Sequence, residues 1–151
     1  MKKSVVLGAV AGVLAMSPLA TAQTPSQLIV GRWSCSADTP DGLISAQMLY
    51  DKDGTTRSTM IIGSDSDDMH IEAILQTVST WRIPGDGTLR ERVTDVDVVS
   101  FKVNGEAIDS DQLESLKDDL MQDELMSGSL QISAKSLSMV DDQGTRTSCM
   151  R

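Results

Sequence analysis

Met69-His70-Ile71-Glu72-Ala73-Ile74-Leu75-Gln76-Thr77-Val78-Ser79-Thr80-Trp81-Arg82-Ile83 is the stretch on which the fold class turns. Its odd positions, among them Met69, Ile71, Ala73, Leu75, Trp81 and Ile83, are mostly apolar, whereas the even ones include His70, Glu72, Gln76, Thr80 and Arg82. Successive side chains of a strand point to opposite faces, so the alternation turns the odd set inward and the even set to solvent. A helix needs apolar residues at i, i+3, i+4 and i+7, which this stretch matches less well. It is long for one strand, and a bend or bulge is expected near Thr77-Val78-Ser79. Long, bent strands suit small antiparallel barrels.

Turn signals flank this strand on both sides. Pro40-Asp41-Gly42 and Asp51-Lys52-Asp53-Gly54 precede it; Pro84-Gly85-Asp86-Gly87, Asn104-Gly105 and Asp141-Asp142-Gln143-Gly144 follow it. Segments rich in Val, Ile, Thr, Leu and Met lie between them, the rhythm of a mainly β meander that closes into a barrel or sandwich. One helix is expected near residues 110–126. Asp109 and Gln112 resemble a capping box, Leu113, Leu116, Leu120, Met121 and Leu125 form an apolar stripe, and Gly128 suits the C-terminal cap. Met121, Leu125 and Met126 could make it a lid or a partner-binding helix; the alternative is a helix covering one end or edge of a barrel.

Thr88 to Val103 reads two ways. Unbroken alternation turns Leu89, Val93, Val99, Phe101 and Val103 inward and takes Glu91, Asp95 and Asp97 with them. Three carboxylates on a buried face are costly unless they meet water, a cation or Arg. A break near Thr94 to Asp97 that turns the acids outward is the cheaper arrangement.

The N-terminus reads as an export signal. Met1-Lys2-Lys3 is a basic start, Val5 to Met16 is an uncharged apolar run, Pro18 breaks it, and Ala20-Thr21-Ala22 offers a small-x-small cleavage site. Twelve apolar residues in a helix span roughly 18 Å, short of a ~30 Å hydrocarbon core, which argues against a membrane anchor. Residues 1–22 are thus expected to be a signal peptide cleaved near Ala22, and residues 23–151 a single domain in the periplasm or secreted. The whole chain of 151 residues carries a formal charge of −9. Without Lys2 and Lys3 the count is 11 basic against 22 acidic side chains, a net −11. Such acidity keeps an exported protein soluble and monomeric, repels anionic membranes and argues against nucleic acid. No later stretch approaches the roughly 18 apolar residues of a spanning helix, so no insertion into a membrane is expected.

Cys35 and Cys149 are the two cysteines, one near each end of the exported chain. In an oxidising compartment they are expected to pair; two buried thiols are the alternative. Closing so long a loop is worth roughly 4–5 kcal/mol in the chain-entropy picture. If they face each other across antiparallel first and last strands, partners share a constant sum of residue numbers, and Trp33 falls opposite Arg151. A guanidinium over an indole is a favourable cation–π stack. First-to-last pairing also removes both exposed sheet edges.

Gly31-Arg32-Trp33 after the short Ser26-to-Val30 segment resembles the Gly-x-Trp opening of lipocalin-like (calycin) barrels. The Gly-x-Trp-x-Cys start, a middle Trp before a Gly-rich turn and the C-terminal Cys-x-Arg are together similar to small exported bacterial proteins of that type. The resemblance implies an antiparallel up-and-down lipocalin-like barrel of about eight strands. It also implies that Trp33 closes one end and packs beneath an Arg of the last strand, Arg151 by register or else Arg146.

The remaining chemistry is sparse. Three Cys and His residues are too few for a structural zinc site, C-x-x-C-H is absent, and no metal or other cofactor is expected. Asp51-Lys52-Asp53-Gly54 starts like a calcium loop but lacks the later ligands and reads as a hairpin turn. Ser64-Asp65-Ser66-Asp67-Asp68, followed by His70, reads as a solvated hairpin tip or a weak divalent-cation site. His70 is the one histidine, on the outward face, with no G-x-S-x-G elbow to serve, so no catalytic residue is expected. The lead expectation is a non-enzymatic module for a small apolar ligand, with Met48, Met69, Ile71, Leu75, Trp81 and Phe101 as candidate cavity lining. The alternative is an exported inhibitor or envelope protein-interaction module presenting Gly63 to Asp68 or its N-terminal strand.

Overall fold

The computed structural model describes residues 22–40, 42–122 and 124–151. The expected signal peptide, Ala22 apart, lies outside the described residues, as do Asp41 of the first turn and Asp123. In chain order the elements are α1 (Pro25–Ile29), β1 (Gly31–Thr39), β2 (Gly42–Tyr50), β3 (Thr55–Ser66), β4 (Met69–Arg82), β5 (Thr88–Val103), β6 (Glu106–Ala107), α2 (Ser110–Gln122), β7 (Glu124–Ile132), β8 (Ser136–Asp141) and β9 (Arg146–Met150). The fold is mainly β, and every pairing is antiparallel. Pairing runs from β1 through β2, β3, β4, β5, β7, β8 and β9 back to β1, a ring of eight strands, with the two-residue β6 attached to β5.

The alternation of β4 survives folding. Ala73, Leu75, Thr77 and Ser79 are buried, while Glu72, Gln76, Thr80 and Arg82 are exposed. The expected irregularity near Thr77-Val78-Ser79 is a register shift against β5 between Val78 and Ser79, and a second falls between Ile74 and Leu75. The extra residues are on β5. Val78 pairs with Asp95 and Ser79 with Val93, so Thr94 is bulged out and the inward phase moves from Leu89, Glu91 and Val93 to Val96 and Val98. The second bulge returns it to Phe101. Asp95 and Asp97 therefore face solvent, which ends their candidacy as an interior site, whereas Glu91 precedes the break and is buried.

Two expectations about helices are corrected. There are two described helices rather than one, because Ser26-to-Val30 lies largely within α1, capped by Thr24 and started by Pro25. The other helix stops at Gln122, and the stretch expected to finish it, with Leu125, Met126 and Gly128, is strand β7. Ladder bonds to both β5 and β8 there outweigh helical spacing. Gly128 serves that ladder rather than a helix cap: a Cβ on it would lie 2.6 Å from the Val140 carbonyl oxygen. The described part of α2 packs on β5 with Leu113, Leu116 and Leu120 half-buried, the covering role rather than a free helix.

One end of the ring is plugged. Cys35 and Cys149 pair across β1 and β9 and are joined by a disulfide. Ser34 pairs with Met150, so the next step of the same register brings Arg151 to Trp33. The guanidinium carbon lies 4.2 Å from the indole centroid. Its Nε donates to the Ala134 carbonyl (2.7 Å), Nη1 to that of Val30 (2.8 Å) and Nη2 to that of Leu28 (2.9 Å). Trp33, buried, donates its indole N–H to the Ile29 carbonyl at 2.7 Å. Gly31 holds φ +126, and a Cβ there would come within 3.0 Å of Arg151 Nη1, so both backbone and space require glycine. Ile29, Trp33, Met48, Tyr50, Leu89, Leu137 and Met139 fill the core next to this plug.

Two stability outcomes follow. Replacing both Cys35 and Cys149 by Ser should lower the unfolding free energy by roughly 4–5 kcal/mol in denaturant titrations. Arg151→Ala should cost about 2 kcal/mol, and Arg151→Lys should recover less than half, because an ammonium lacks the planar fork that spans three carbonyls and stacks on the indole. Equal stability of Arg151→Lys and the parent would show that charge alone matters there.

Candidate functional site

Inward residues of β1 to β5 stack in rows that the register defines. Nearest the plug lies Tyr50–Thr56–Ser79–Val93, then Met48–Ser58–Thr77–Val96 beside Trp33, then Cys35–Ala46–Met60–Leu75–Val98, then Ala37–Ile44–Ile62–Ala73–Phe101. The rows change character with depth. The upper two are apolar, while the lower two carry hydroxyls, and Glu91 lies beside Ser79 as the partner of Trp81.

A cavity of about 560 Å3 occupies the upper rows. Ala37, Ile44, Met48, Met60, Ile62 and Leu75 wall it, and Leu120 of α2 leans over it. Pro40 and Gln143, both exposed, stand on its rim with Asp141 and Thr145, so the cavity opens between the β1–β2 and β8–β9 turns. Of the six residues expected to line it, Met48 and Leu75 do. Ile71 and Phe101 are half-buried and do not line it. Met69 is 45% exposed beside the β3–β4 turn, because those two strands run on past the ring. Trp81 lies toward the plugged end, donating its indole N–H to the Asp51 and Thr55 carbonyls (3.1 Å each), its ring edge-on to Tyr50 at 5.9 Å.

A second cleft, of about 430 Å3, lies against the outer face of β2 to β5, with Arg32 and Arg57 on one side and Asp95 and Asp97 on the other. All four side chains are exposed to water, which screens them. The inner cavity, walled by buried and half-buried apolar groups, has more of the character of a ligand site.

The polar rows beneath it are unusual. Thr56, Ser58, Thr77, Ser79 and Glu91 are all buried. Ser58 Oγ and Thr77 Oγ1 share a hydrogen bond of 2.7 Å. Thr56 Oγ1 and both carboxyl oxygens of Glu91 have no partner within hydrogen-bonding distance. Burial pushes the Glu91 pKa up from 4.5 to about 7, with the nearby Tyr50 phenol pulling weakly the other way. Burial, and then the charge of Glu91, push Tyr50 well above the ordinary phenol value. A period-two reading of β2 and β3 joined by the Asp51-Lys52-Asp53-Gly54 turn could have found this cluster, since it sets Tyr50 opposite Thr56. The apolar neighbours Met48, Met60 and Ile62 masked it.

The other candidates stay at the surface. Asp53 Oδ1 accepts from the Thr55 N–H (2.9 Å) and hydroxyl (2.6 Å), which makes the calcium-like stretch a hairpin turn and holds that carboxyl below its usual range. His70 Nδ1 contacts Asp65 Oδ1, and that bond raises the exposed imidazole's pKa. Among the described residues no cluster of His, Cys, Asp and Glu has metal-ligand geometry.

No protein-family model matches this chain. No curated protein matches it either. The functional reading rests on the cavity and the polar rows below it.

Glu91 gives a measurable pH dependence. Between about pH 4.5 and 7 the folded chain keeps a proton that the unfolded chain has released, so stability falls as pH rises through that window. The loss levels off above it at about 3 kcal/mol. His70, raised by Asp65, slopes the same way, so the difference between the parent and Glu91→Gln isolates the buried acid. Urea titrations should show Glu91→Gln close to the parent at pH 5 and more stable at pH 8. A constant difference across that range would refute the buried-acid account.

Proposed function

We propose that this chain is an exported, periplasmic lipocalin-like barrel that holds a small apolar ligand in its interior and performs no catalysis. The cavity of about 560 Å3 carries the reading, because it combines apolar walls with one plugged and one open end. Small-molecule sites are typically about 300–1,000 Å3, mostly apolar, with a few placed polar groups. The Arg151–Trp33 plug supports the lipocalin-like assignment. The disulfide is compatible with an oxidising exported environment, which fits the Ala20-Thr21-Ala22 cleavage signal. Among the described lining residues Asp141, on the rim, is the one titratable side chain, which favours binding over acid–base chemistry. No described helix is long and apolar enough to cross a membrane.

One observation favours the interaction-module reading. Leu43, Ile61, Ile74 and Val99 are exposed, and Ile61 and Ile74 are direct cross-strand partners. Such a patch suits contact with an envelope protein.

The carrier reading is tested with the neutral fluorescent probe phenylnaphthylamine. The protein should bind it with micromolar affinity, and Ala46→Phe, which fills the cavity from β2, should weaken binding at least about tenfold without unfolding the chain. Absence of binding, or binding untouched by Ala46→Phe, would leave the interaction reading standing alone.

A further inference from the structure

Ordinary packing does not account for what lies beneath the cavity. Ser58 and Thr77 sit two residues below Met60 and Leu75 on the same pair of strands, about 7 Å toward the plug. Thr56, Ser79 and Tyr50 come one row lower, and Glu91, the partner of Trp81, comes two rows lower, with its carboxyl near the Tyr50 phenol. Val, Leu or Ile would fill these inward positions without desolvating a polar group. Instead the interior buries a carboxyl group that makes no well-formed hydrogen bond, the Tyr50 phenol being the donor near it, and a threonine hydroxyl that makes none. Each such group costs free energy unless something satisfies it. The polarity is also one-sided, running down β2 to β5, whereas the plug side of β8 presents Leu137 and Met139.

We propose that the cavity takes a single-tailed amphiphile head-down, its tail along the Ile44, Met60 and Ile62 wall and its head on the Ser58–Thr77 pair above Glu91. The head is a hydrogen-bond donor without negative charge, an alcohol or an ammonium. The proposal rests on the carrier reading and adds the class of ligand. Three features carry it. The two hydroxyls satisfy one another with one hydrogen bond, which leaves one O–H and spare lone pairs for a head that both donates and accepts. The unpaired oxygens of Glu91 lie below them and accept hydrogen bonds. A buried carboxylate two rows down repels a second carboxylate and attracts an ammonium in a medium where charges are poorly screened. Among the described residues that face inward on β1 to β5, none is an Arg, Lys or His that would welcome an anionic head.

The experiment displaces bound phenylnaphthylamine at pH 8 with dodecanol, dodecylamine or dodecanoate at micromolar concentrations, using the intact exported chain. Dodecanol and dodecylamine should displace the probe at least about tenfold more tightly than dodecanoate. Glu91→Gln should remove most of the amine's advantage over the carboxylate and leave the alcohol within about threefold. Ser58→Ala/Thr77→Val, which keeps Glu91, should weaken the alcohol about tenfold and provides the second readout should Glu91→Gln fold poorly. Dodecanoate binding as tightly as dodecanol, or unchanged ratios in both variants, would overturn the head-group rule while leaving the carrier reading intact. Failure of the parent to bind phenylnaphthylamine would remove both.

Discussion

The structure depends on the closure made by Arg151 over Trp33. A meander of antiparallel strands leaves two edges whose N–H and C=O groups would be exposed for pairing with other chains. Joining β1 to β9 removes both edges. Four backbone pairs are all that β9 offers β1, so the short last strand needs reinforcement. The disulfide supplies a covalent tie within that ladder, and Arg151 ties the chain end to α1 and to the β7–β8 turn through three carbonyls. Gly31 is part of the same device, since its φ of +126 disfavours any other residue and a Cβ there would crowd the guanidinium at 3.0 Å. The plug is therefore one cooperative unit built from α1, the first strand and the last strand.

With one end blocked, the interior has a direction. Bulky groups, Trp33, Tyr50, Ile29 and Leu89, crowd the plugged end, while smaller Ala37 and Ala46 line the open end beside flexible Met60 and Met48. That gradient of side-chain size leaves the cavity at the top. The polar rows lie at the boundary between packed core and cavity. Methionine in the wall suits ligands of varied shape, because its unbranched chain repacks easily.

Glu91 shows how a local irregularity sets the chemistry. The bulge at Thr94 reverses the facing of β5, which exposes Asp95 and Asp97 and leaves Glu91 inside. The same bulge placed at Arg90 would have turned Glu91 out as well. Burying it costs stability wherever it is ionised, and a cost of that kind is commonly met at sites that bind something.

From the sequence alone came the strand period of Met69 to Ile83, the turn positions, the mainly β class, and the register by which a Cys35–Cys149 bond brings Trp33 to Arg151. These are legible because they depend on periods of two residues and on turn chemistry, both local, or on simple counting along two paired strands. The tertiary structure decided the rest. It ended α2 at Gln122, since pairing with β5 and β8 gains more than another helical turn. It also placed the two β5 bulges, which depend on how a long strand must coil to stay paired with β4 around the ring. Most of all it set the cavity's depth and left Trp81 out of it, because what lines a cavity depends on which strands lie across from one another, and that is set by closure of the whole ring rather than by any one segment.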